Sequence, residues 1–113
     1  MDSRLKADGR FWLTLDGKNF LGRGRVELRQ RIRETGSISK AARAMKMSYK
    51  AAWDAVDAIN NAWPSPLVES GPAGSRLTED AERLITEFQQ ADAQHTAFLS
   101  QLAKGLSANP PLN

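Results

Sequence analysis

Along residues 10–21, RFWLTLDGKNFL, large apolar and polar side chains alternate on either side of Asp16-Gly17. Alternation of period two is the mark of a half-buried strand, and Asp-Gly accepts the positive φ angles of a two-residue turn, so the stretch predicts a β-hairpin. The period then lengthens. Val26, Leu28 and Ile32 recur near helical spacing in GRGRVELRQRIRETG, and Gly36 stands where a left-handed residue would end that helix. Arg25, Arg29 and Arg33, four residues apart, fall on one basic edge, either solvated or laid against a phosphate backbone.

Two short segments follow, KAARAMK and YKAAWDAVDAINNAW, each preceded by a serine. Ser39 and Ser48 are placed to cap them, because a serine oxygen accepts from the free N–H groups of a first turn. Helices joined by so short a turn cross closely, and Ala41, Ala42 and Ala52 supply the small side chains the crossing needs. Ala52, Val56 and Ile59 share one face of the third helix, which leaves Tyr49, Lys50, Trp53, Asp54 and Asp57 outward. PSPLVES, GPAGS and RLT read as strand, turn and strand. Thr78 caps a last helix whose first turn carries Glu79, Asp80 and Glu82. In that helix Ala81, Leu84, Phe88, Ala91, His95, Phe98 and Leu102 alternate at spacings of three and four, the seam of a helix pair, either between two copies or within one chain. Ile85 and Leu99 then face the chain's own core.

Composition narrows the function. The 113 residues contain no cysteine, which excludes a disulfide framework and thiolate chemistry and fits a cytoplasmic protein. The apolar runs are far too short to span a membrane. Net charge is +3, but residues 1–50 hold 13 Lys/Arg against 5 Asp/Glu and residues 51–113 hold 3 against 8. The basic half is the candidate anion-binding half. Catalysis is not expected: the sole histidine, His95, lies on the seam, and there is no nucleophile beside a carboxylate pair, no phosphate-binding glycine loop and no metal-ligand cluster.

Two close-packed short helices followed by a hairpin form a winged helix-turn-helix, in which the second helix of the pair enters the major groove. The run ETGSISKAARAMKMSYKAAWDAVDAINN, then PLVE and RLT, resembles the N-terminal domain of the ModE family of molybdate-responsive transcription regulators, a LysR-type winged helix. The resemblance covers residues 10–100. The wing is short, SGPAGS, where the family has a longer glycine-rich one. Full-length members carry C-terminal molybdate-binding domains, and this sequence ends at Asn113, so the resemblance implies no cofactor on this chain and molybdate only where a further domain exists.

The expected molecule is mainly α with small β-hairpins, ordered as a flexible N-terminus at 1–9, a winged helix-turn-helix with its N-terminal hairpin at 10–78, a long dimerisation helix at 79–105 and a disordered tail at 106–113. Its partners are double-stranded DNA, at a pseudo-palindromic operator, and a second copy. The residues placed for DNA are Ser37, Ser39, Lys40, Ser48, Tyr49, Lys50, Trp53 and Arg76. Lys50 suits phosphate or guanine, and Asp54 suits either Lys50 or cytosine N4. The serines have capping as their other role, and Trp53 has core packing. The dimer surface is Leu84, Phe88, Ala91, His95, Phe98 and Leu102. A protein-interaction adaptor on the same scaffold is the competing function.

Overall fold

The computed structural model describes residues 4–108. Its elements in chain order are β1 (Leu13–Leu15), β2 (Lys18–Leu21), α1 (Arg23–Thr35), α2 (Ile38–Ala44), α3 (Tyr49–Ala62), β3 (Val68–Gly71), β4 (Gly74–Leu77) and α4 (Glu79–Ala108). Two compact units divide them: Trp12–Thr86, and the flanking residues 4–11 with 87–108.

The first hairpin forms where the alternation predicts it. Asp16 and Gly17 both have positive φ, 52° and 77°, and β1 pairs antiparallel with β2 through Thr14↔Asn19 and Leu15↔Lys18. Phe20 and Leu21 are buried. Gly36 ends α1 at φ 70°, its N–H donating to the Ile32 carbonyl at 2.7 Å.

The basic edge expected on α1 does not hold together. Arg29 is 2% exposed and buried with Val26 and Ile32, whereas Arg33 reaches out to Glu82 at 2.9 Å. Val26, Arg29 and Ile32 are three apart, so the apolar stripe passes through the arginine. Arg29 Nη1 donates to the Arg25 carbonyl at 3.1 Å, and Nη2 has no hydrogen-bond partner among the described residues. Burial, with the Arg25 charge adding to it, pushes its pKa down to about 10.

Helix α2 begins two residues earlier than expected, at Ile38. Ser37, not Ser39, is its cap: extended at φ −153°, it accepts from the Lys40 N–H at 3.1 Å, which places Ser39 inside the helix. The Thr35 hydroxyl accepts from Ser37 N–H and donates to the Arg31 carbonyl, fixing the entry to the helix. Ser48 does cap α3, accepting from Ala51 N–H at 3.0 Å. Between the two helices Lys46 takes a left-handed conformation, φ 57°.

The core of this unit lies where α1, α2 and α3 meet. Leu28, Ile32, Ile38 and Val56 pack with Ala41, Ala42 and Ala52, the three alanines being no more than 2% exposed, and Val68 of β3 joins them. Outside that cluster, Trp63 stacks on Phe20 with ring centroids 5.4 Å apart and donates through Nε1 to Asp80. That bond and one from Ser65 hold the Asp80 carboxyl below its ordinary value.

In the flanking unit Phe11 stacks on Phe88 at 4.9 Å and meets the His95 ring edge-on at 5.6 Å. Helix α4 continues to Ala108, past the expected end at 105. The rest of the expected tail, 109–113, and residues 1–3 of the expected flexible N-terminus lie outside the described residues.

Candidate nucleic-acid interface

Capping and small-residue packing decide which groups α3 shows to solvent. Ser48 fixes the first turn, Ala52, Val56 and Ile59 take the core side, and Tyr49, Lys50, Trp53, Asp54 and Asp57 are left exposed. Tyr49 and Trp53, one turn apart, are 52% and 42% exposed, so Trp53 belongs to the surface as much as to the core.

The wing is held beside this face by polar contacts that sequence reading missed. Asn60 Oδ1 accepts from the backbone N–H groups of Leu67 and Val68 at 2.9 and 3.0 Å, and its Nδ2 donates to the Val68 carbonyl at 2.9 Å. One side chain on α3 thereby satisfies three backbone groups at the start of β3. An asparagine inside an amphipathic helix and eight residues before the strand is the sequence signal, but it is indistinguishable there from a solvated one. On the other side of the hairpin, Ser75 N–H donates to the Gly36 carbonyl at 2.9 Å. Gly74, at φ 116°, approaches that carbonyl so closely that a Cβ would lie 2.5 Å from it.

These contacts enclose a cleft of roughly 200 Å³, lined by Ser37, Ser39, Tyr49 and Trp53 together with Ser70 and Ser75 of the wing. Four of the eight residues placed for DNA therefore line one cleft. Lys40, Ser48, Lys50 and Arg76 lie outside the lining. Lys40 and Ser48 are exposed at the first turn of α2 and the start of α3. Lys50 Nζ donates to Asp54 Oδ2 at 2.9 Å, and Arg76 Nη2 donates to Glu69 across the strand pair at 3.1 Å. Both pairs are largely exposed.

The seam on α4 is divided. Phe88 is 3% exposed beneath Phe11 of its own chain, so it is not part of an open seam, and Ala81 is fully buried. Leu84 and His95 are half-buried, with His95 Nδ1 unpartnered among the described residues, and Ala91 is exposed. The open apolar strip is Phe98, Leu102 and Leu106, exposed by 60%, 43% and 46%. Leu106 extends the seam by one more step of four and had been placed in the tail.

Among the described residues no group of His, Asp and Glu is arranged to hold a metal ion, and no helix is long and apolar enough to cross a membrane.

Residues 25–82, from α1 into the first turn of α4, match the family described as bacterial regulatory helix-turn-helix protein, lysR family. Over 95 residues the chain is 41% identical to the molybdenum-pterin-binding protein MopB of Rhodobacter capsulatus, covering 80% of this chain and 35% of that protein. It is 42% identical over 85 residues to the transcriptional regulator ModE of Haemophilus influenzae, covering 70% of this chain and 33% of that one. With the DNA-binding transcriptional dual regulator ModE of Escherichia coli K12 it shares 37% over 92 residues, 76% of this chain and 35% of that one. The chain thus spans about a third of the length of these relatives. The crystal structure of a LysR family transcriptional regulator, 16% identical, superposes with a TM-score of 0.57 over 80% of this chain and 31% of that one, a likeness of fold.

Proposed function

The chain belongs to the lysR family of bacterial regulatory helix-turn-helix proteins, DNA-binding regulators and not enzymes, with relatives that include ModE, and from that premise we propose that it binds a pseudo-palindromic operator as a cytoplasmic homodimer. Molybdenum-linked genes are its proposed targets, since ModE relatives are named as a transcriptional regulator in one organism and a molybdenum transport protein in another. The observation that carries the reading is the cleft lined by Tyr49 and Trp53 of α3 together with Ser37 and Ser39 of α2 and its cap and Ser70 and Ser75 of the wing.

In this reading α3 lies in the major groove, and its exposed first turn, Ser48, Tyr49 and Lys50, approaches the base edges. Trp53 packs on sugar or base behind them. Ser37, Ser39 and Lys40 meet the phosphate backbone beside the groove, and Arg76 of the wing meets it on the other side. The second copy docks along α4 through Phe98 and Leu102, with Leu84, Ala91 and His95 continuing the surface.

The test is titration of duplex DNA at several salt concentrations. Released counterions should make affinity fall steeply as salt rises, with a slope of about −0.9 for each phosphate neutralised. Tyr49→Ala combined with Lys50→Ala should weaken binding and change that slope or the sequence preference. If affinity and slope are both unmoved, α3 is not the reading helix, and an adaptor that binds protein through the same scaffold takes its place.

A further inference from the structure

The first turn of a helix favours negative charge, and α4 follows the rule with Glu79, Asp80 and Glu82. Helix α3 does the opposite: its first turn has no acidic residue and contains Lys50, with Asp54 four residues further in. A cation preceding an anion at this spacing is the less stabilising order for a helix. Helix stability therefore gives little reason for the pair to stand on the one face where a phosphate backbone would be met.

Its hydrogen-bonding capacity gives a better one. The side chains are 84% and 66% exposed and joined by one bond, Lys50 Nζ to Asp54 Oδ2 at 2.9 Å. An ammonium has three N–H groups, so two remain for another acceptor. The Asp54 Oδ1 atom receives no hydrogen bond among the described residues and can accept from another donor. The pair thus presents a donor and an acceptor side by side. In the major groove a G·C base pair presents the complementary couple, guanine O6 and N7 as acceptors next to the cytosine N4 amino group as donor. An A·T pair also sets an acceptor beside a donor, adenine N7 next to its N6 amino group, but only guanine, with O6 and N7, offers acceptors to both of the remaining Lys50 N–H groups while the cytosine amino group meets Asp54. Phosphate, which has no donor, leaves the carboxylate repelled and Lys50 partly neutralised.

We propose that Lys50 and Asp54 act as one unit that reads a G·C base pair in each half-site, Lys50 donating to guanine and Asp54 accepting from cytosine N4, and that Asp54 is the specificity-determining member. This rests on the DNA-binding reading above and adds the base that is read. Asp54 weakens attachment to DNA of arbitrary sequence, because it holds Lys50 away from phosphate, and becomes favourable only where cytosine supplies the donor.

The experiment selects bound duplexes from a library of randomised sequence, using the full chain and its Asp54→Asn and Asp54→Ala variants, with circular dichroism melting to confirm that each is folded. The wild type should enrich a motif with a fixed G·C pair in each half-site. Asp54→Asn should exchange that cytosine preference for adenine, which an asparagine recognises, and Asp54→Ala should lose it, each reducing discrimination at that position about tenfold. Both variants should bind arbitrary duplex more tightly than the wild type, with a salt slope steeper by about one phosphate. Variants that enrich the wild-type motif unchanged would overturn the unit and leave the pair a surface contact of α3, with the DNA-binding reading intact. A wild type that enriches nothing and shows no salt-dependent binding would overturn both.

Discussion

Arg29 is where residue type and spacing disagree, and spacing prevails. Its stem fills the Val26–Ile32 stripe, so its guanidinium is carried into the interior with one backbone acceptor and no carboxylate partner among the described residues. A buried cation without a counter-charge costs free energy that neighbouring apolar contacts must offset. Arg29→Met keeps the stem's volume and removes the charge, and thermal unfolding should show it more stable by about 1–3 kcal/mol at neutral pH. The pH dependence has a definite sign. With its folded-state pKa pushed down to about 10, Arg29 loses its proton in the folded protein while an unfolded chain keeps it. The wild type should therefore gain stability as pH rises above about 10, and Arg29→Met should lack that gain. Equal pH profiles for the two proteins would exclude this account of Arg29.

At the scale of the element, α3 depends on contacts at both ends. Ser48 closes its first turn, and Ser48→Ala should lower stability by about 1 kcal/mol in denaturant titrations. Its effect on DNA is best measured well below the melting temperature. Near the other end Asn60 ties α3 to the wing by three hydrogen bonds to partly buried backbone groups. Asn60→Ala leaves all three without that partner, and chemical denaturation should register a loss of about 2–3 kcal/mol. Amide exchange should meanwhile accelerate at Leu67 and Val68, whose N–H groups Asn60 accepts. Asn60→Asp separates the roles: it retains the acceptor for those N–H groups but loses the donor to the Val68 carbonyl, so protection at Leu67 and Val68 should largely survive.

For the whole molecule, the decisive surface is the exposed part of α4. Phe88 cannot be altered to probe assembly, since a charge there would be buried under Phe11 and would destabilise its own unit. Phe98 and Leu102 can be, because both project into solvent in a single chain. The chain should scatter light as a dimer at micromolar concentration, and Phe98→Glu with Leu102→Glu should yield a monomer with unchanged helical content. A wild type that remains monomeric would remove the homodimer, and with it the expectation of a two-fold operator.

Much of the architecture was legible in the sequence because it rests on local rules. Asp16-Gly17 specifies a turn, Gly36 a helix end, and Ala41, Ala42 and Ala52 a close helix crossing, each through steric constraints on the backbone or on neighbouring side chains. The outward set on α3 followed from the 3.6-residue period once Ala52, Val56 and Ile59 were assigned to the core. Tertiary structure decided what that period leaves open. Ser37 and Ser39 are equivalent as local caps, and only the path out of α1, fixed by Gly36 and Thr35, selects Ser37. The seam of α4 is continuous in sequence, yet Phe11, more than seventy positions away, covers Phe88 and leaves Phe98 and Leu102 open. Periodicity assigns a side chain to a face of its own helix; which other part of the chain covers that face depends on long-range packing that a local pattern does not encode.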